Sequence, residues 1–182
     1  MTDEQRLARV RFWLGLFAAG LVVAGVTAFP LAWETRVASQ WLHGHGAWLG
    51  GHLPGLRAWI DWAHRGLADS YARYPFLAYG TDWLAFGHLT IAVAFIGPFR
   101  DPVRNKWVVQ WGMVACLLVL PLAAVAGPLR GIPLLWMPVD MSFGVVGIVP
   151  LILAYRHIRA LEREGDQQPA SASRHAQEAD RA

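Results

Sequence analysis

Four stretches of about twenty apolar residues each dominate this chain, and no other feature limits its fold as tightly. A segment of that length crosses hydrocarbon only with its backbone hydrogen bonds satisfied internally, which in a single stretch means an α-helix. The stretches fall at about residues 12–33, 76–99, 107–129 and 134–155. At about 1.5 Å per residue, each is long enough for a core of ~30 Å. The expected fold is therefore all-α: a polytopic membrane protein with four transmembrane helices in a bundle. Composition agrees, since 182 residues that are 55% hydrophobic and only 16% charged are too apolar for an ordinary soluble domain. Residues 1–164 read as a single membrane domain, leaving no room for a separate soluble catalytic domain. The polar, Ala/Ser/Gln-rich remainder, 165–182, reads as a disordered tail.

The first stretch carries no charge from Phe12 to Trp33. Thr2 and Gln5 have the spacing of a capping box, so its helix is expected to start ahead of the membrane and to carry Arg6, Arg9 and Arg11 at the surface. Val26-Thr27-Ala28 also resembles a signal-peptide cleavage site. The apolar run continues past it through Phe29, Leu31 and Trp33, which favours an uncleaved anchor.

Residues 34–74 change character to Trp, His, Gly and scattered charges. Trp41, Trp48, Trp59 and Trp62 alternate with polar groups, a pattern that suits short interfacial helices in the first outer loop. Gly44, Gly46, Gly50, Gly51 and Pro54 argue against one helix across the whole segment. His43, His45 and His52 in HGHGAWLGGH are weak candidates for metal ligands, imidazole being the usual ligand of zinc, copper or nickel. No carboxylate accompanies them within that run, so no metal is expected.

Basic residues orient the spans. Arg6, Arg9 and Arg11, then Arg100, Arg104 and Lys106, then Arg156, Arg159 and Arg163 flank alternate ends, all on one side of an even-numbered bundle. The positive-inside rule makes that side cytoplasmic. The expected location is the bacterial cytoplasmic (inner) membrane, with both termini cytoplasmic and segment 34–74 periplasmic. A net charge of +3 distributed in this way reports topology, and no nucleic-acid partner is expected. One cysteine, Cys116, excludes an intrachain disulfide and a thiolate cluster.

Ionisable residues inside apolar spans are expensive and mark functional candidates. Asp82 lies roughly 9 Å inside the second span by helical rise, and Asp140 lies about as deep in the fourth. Arg130, at the outer end of the third, is long enough to reach inward. An intramembrane cluster of Asp82, Arg130 and Asp140 follows if the helices turn those faces together. Such a cluster would fix helix register, or bind a cation or share a proton. In a third reading, Asp140 is simply an acid at a helix N-terminus. His88 is deeper and about 120° around the helix from Asp82, which makes it a candidate relay rather than a co-ligand. Bis-histidine haem would need a second imidazole at that depth on another span, and the sequence supplies none. No cofactor is expected.

The chain lacks a G-x-S-x-G elbow, a P-loop, H-E-x-x-H, a dinucleotide fingerprint and C-x-x-C. The expected role is non-enzymatic: an accessory, sensor or assembly component in the lipid bilayer, as a homo-oligomer or with a membrane-protein partner. The alternatives are a small proton- or cation-coupled transporter using the acidic pair, and a membrane enzyme acting on a lipid or quinone at the outer leaflet. Small residues at Gly15, Ala19, Gly20, Ala24, Gly144 and Gly147 permit close helix approach.

Overall fold

The computed structural model describes residues 2–179, and side chains for 2–164; the tail expected to be disordered from Gly165 lies outside the described side chains. The described chain is all-helical: α1 (Asp3–Ala28), α2 (Leu31–His43), α3 (Ala47–His52), α4 (Pro54–Arg73), α5 (Ala78–Ala94), α6 (Ile96–Arg100), α7 (Lys106–Leu129) and α8 (Met137–Ala179). A single 3₁₀ turn, Pro75–Leu77, leads into α5. Among the described residues, four helical stretches are long and apolar enough to cross a membrane: Asp3–Ala28, Pro75–Arg100, Lys106–Leu129 and Met137–Glu164. Most of their apolar surface is exposed, as it is for helices that face hydrocarbon.

Caps and prolines set the helix ends. Thr2 Oγ1 accepts from the Gln5 amide at 3.3 Å, and Gln5 Oε1 accepts from the Thr2 amide at 3.2 Å, the reciprocal capping box that the sequence predicts. The first apolar run does not form one helix to Trp33. It ends at Ala28 and restarts at Leu31, because Pro30 has no amide proton to donate to the Val26 carbonyl four residues back. The second run breaks at Phe95, where Pro98 cannot bond to the Ala94 carbonyl four residues back.

After α7, Gly131 takes φ of +71°, the left-handed conformation that glycine adopts without strain. The Ile132 amide donates to the Gly127 carbonyl at 3.0 Å and the Gly131 amide to the Pro128 carbonyl at 3.1 Å. This is the Schellman ending, and it satisfies carbonyls that the helix terminus leaves unpaired. The last helix then starts at Met137 rather than Leu134, because the chain turns through Pro133 to Trp136 first.

Packing orders the spans α5, α1, α8, α7: α1 lies between α5 and α8, and α7 packs on α8. Val10 and Leu14 of α1 and Leu151, Ala154 and Ile158 of α8 are all completely buried along one seam. Phe95 joins this cluster from the α5–α6 junction, with Val108, Val109 and Cys116 from α7. The core thus gathers in the half of the bundle that bears the N-terminus. Glycines admit the closest approaches. A Cβ at Gly112 would lie 2.8 Å from the Phe95 ring, and one at Gly25 would lie 3.1 Å from the Ala85 carbonyl oxygen. At the other end, α2, α3 and α4 pack mainly on one another. Trp59 of α4 stacks on Trp62 and reaches Trp136 ahead of α8, at centroid distances of 5.1 and 6.4 Å.

Candidate functional site

The polar residues inside the spans occupy separate places. Asp82 is on α5, which packs on α1, whereas Asp140 is on α8, on the other side of α1. Asp140 belongs to the first turn of α8, where the helix dipole favours a carboxylate. Arg130 caps the end of α7 and is exposed. Gly127 meets Met137 and Gly144 meets Cys116, so Asp140 is level with the α7 stretch between those contacts. Arg130 lies more than a helical turn beyond that level. Among the described residues, no ion pair or side-chain hydrogen bond joins Asp82, Arg130 and Asp140.

His88 sits in the α1–α5 seam, its Cβ 3.2 Å from where a Cβ on Gly25 would be. Its Nδ1 donates to the Leu84 carbonyl at 2.8 Å. The bond is made within its own helix. His88 therefore does not reach Asp82, as the angular separation predicts.

The polar groups that do assemble lie at the two ends of the bundle. At the Trp-rich end, Ser39 Oγ donates to Asp61 Oδ1 at 2.6 Å, and His43 Nε2 stands 3.4 Å from Asp61 Oδ2. His43 Nδ1 donates to the Ser39 carbonyl at 2.9 Å, so both ring nitrogens face acceptors. Ser39 and His43 are one turn apart on α2, and Asp61 is on α4, so the set ties these helices together. Serine bonds to the carboxylate rather than to the imidazole, so the arrangement is not that of an activated nucleophile.

Of the weak metal candidates, His43 is engaged by Asp61, and His52 Nδ1 donates to the Trp48 carbonyl at 2.6 Å. Among the described residues, no three His, Cys, Asp or Glu side chains converge in a way that could hold a metal ion.

At the basic end, Arg6 pairs with Glu164 at 2.8 Å, joining α1 to α8. Lys106 pairs with Glu162, joining α7 to α8, and Arg159 lies 3.9 Å from the same carboxylate. Arg11 Nε donates to the Phe99 carbonyl at 3.3 Å, tying α1 to α6. The three basic flanks of the sequence therefore converge at one end. Sequence reasoning missed Ser39, Asp61, Glu162 and Glu164 as tie residues. Their partners are 22, 56 and more positions away, so the only local signal was the Ser39/His43 stripe on one face of α2.

No family model, curated protein or solved structure matches this chain.

Proposed function

We propose that this protein is a non-enzymatic integral membrane protein that acts through contact: an accessory or assembly component rather than a carrier or an enzyme. One observation carries this reading. The polar pairs that span two elements tie helices together: Ser39 with Asp61 for α2 and α4, Lys106 with Glu162 for α7 and α8, and Arg6 with Glu164 for α1 and α8. The acids within spans, Asp82 and Asp140, stand on helices separated by α1. A coupled carrier needs its acids to share an ion or a proton, and this arrangement gives that reading less support. The membrane-enzyme reading has no geometric observation in its favour.

The reading places the protein in the bacterial cytoplasmic membrane, with both termini cytoplasmic. The convergence of Arg6, Arg11, Lys106 and Arg159 at one end supports that orientation. In it, α2 to α4 form an outer cap whose tryptophans suit the headgroup layer. The aromatic face of α5, with Tyr79, Trp83 and Phe86 edge to face at 5.9 and 5.6 Å, is exposed. That face is available to lipid or to a neighbouring membrane protein.

The test is flux. Liposomes containing the purified protein and a pH-sensitive dye should leak protons and monovalent cations no faster than empty liposomes. A flux that Asp82→Asn or Asp140→Asn abolishes, with yield and melting unchanged, would replace this reading with the transporter.

A further inference from the structure

Along the outside of the α1–α8 seam, at the basic end, runs a groove of about 440 Å³ lined by Ala8, Arg9, Phe12, Trp13, Leu153 and His157. That volume lies within the range of small-molecule sites. The lining residues fall in two stripes, 8, 9, 12 and 13 on α1 and 153 and 157 on α8, each one turn long. Arg9 and His157 occupy the end of the groove nearer the membrane surface. Phe12, Trp13 and Leu153 lie about one turn, roughly 6 Å, deeper. The Phe12 and Trp13 rings meet edge to face at 5.0 Å and form an apolar wall.

The groove is therefore graded: donors and positive charge at its mouth, hydrocarbon and aromatic surface within. Two α8 carboxylates at this end are already engaged, Glu164 by Arg6 and Glu162 by Lys106. Among the described residues, Arg9 has no ion-pair partner. A guanidinium offers its donors in a fork that fits two phosphate oxygens, and a neighbouring imidazole adds a third donor.

We propose that this groove binds an anionic phospholipid from the leaflet at the basic end. The phosphate lies between Arg9 and His157, and one acyl chain runs along Phe12, Trp13 and Leu153. A free phosphate would use only the mouth of the groove, whereas a phospholipid fills its length. Basic pockets between transmembrane helices bind acidic headgroups for the same electrostatic reason. A zwitterionic lipid is the poorer occupant, because its ammonium would approach the surplus of arginines at this end.

The full chain is reconstituted in phosphatidylcholine nanodiscs with phosphatidylglycerol as the minor component, then transferred to mild detergent. Retained lipid is read by native mass spectrometry. The wild-type protein is expected to keep phosphatidylglycerol in preference to phosphatidylcholine. Arg9→Ala and His157→Ala should each lower that retention about tenfold, the size of one charge-assisted hydrogen bond. Arg163→Ala, which removes a basic residue outside the groove, should leave it unchanged. Leu153→Trp fills the groove without touching a charge and should expel the lipid, so the test survives if an alanine variant fails to fold. Equal retention in Arg9→Ala, His157→Ala and the wild type overturns the proposal. So does a wild type that shows no preference for phosphatidylglycerol, or displacement of the lipid by inorganic phosphate at the same concentration.

Discussion

Gly144 shows how much one residue decides here. A Cβ at this position would run into the Cys116 carbonyl oxygen, a backbone atom of α7 that cannot swing aside, and would press on Val119 at 3.3 Å. Gly20, by contrast, has nothing within 4 Å of the position a Cβ would take. Gly144→Ala should therefore destabilise the fold by about 1–3 kcal/mol, the usual cost of overpacking. Gly20→Ala should stay within about 0.5 kcal/mol, as for a surface site. Equilibrium unfolding in mixed micelles measures both, and the reverse order would refute this packing. The sequence marks both glycines as small residues that permit close approach, and nothing local to either distinguishes them. What differs is the element opposite, and that is a property of the fold. Asp140 makes the same point for charge. Its presence in an apolar run is plain from the sequence, but its place in the first turn of α8 depends on where that helix begins.

At the scale of elements, legibility follows the range of the interaction. Helix starts and stops that depend on neighbours within a turn could be read: the Thr2/Gln5 box and the glycines that divide residues 34–74. At Pro30 two local signals compete: the apolar run continues past it, but the missing amide stops the helix. Hydropathy therefore extends the span to Trp33, whereas the helix stops at Ala28. In hydrocarbon-facing stretches, hydropathy locates a span, whereas proline and capping set its ends. Which helix packs on which was not legible at all. The expected acidic cluster assumed that the second, third and fourth spans turn one set of faces together, but α1 lies between α5 and α8. The order of helices around a bundle is fixed by side-chain interlocking, here Phe95 under Gly112 and Leu151 beside Val10 and Leu14, and hydropathy carries no record of that.

At the scale of the whole molecule, the two ends differ in chemistry and in packing. One end gathers the buried core and the basic flanks, and the other carries the tryptophan-rich helices. This asymmetry predicts orientation: a reporter fused after Ser70 should be periplasmic, and one fused after Asn105 cytoplasmic. The opposite pair of signals would invert the assignment. The central claim is that bonded polar groups hold helices together at the ends, while Asp82 and Asp140 do not share a site. A double-mutant cycle on Asp82→Asn and Asp140→Asn, followed by equilibrium unfolding in mixed micelles, tests this most directly. The two substitutions should add to within about 0.5 kcal/mol, as independent positions do. A coupling energy above about 1 kcal/mol would show that the two carboxylates act on each other, contradicting the account.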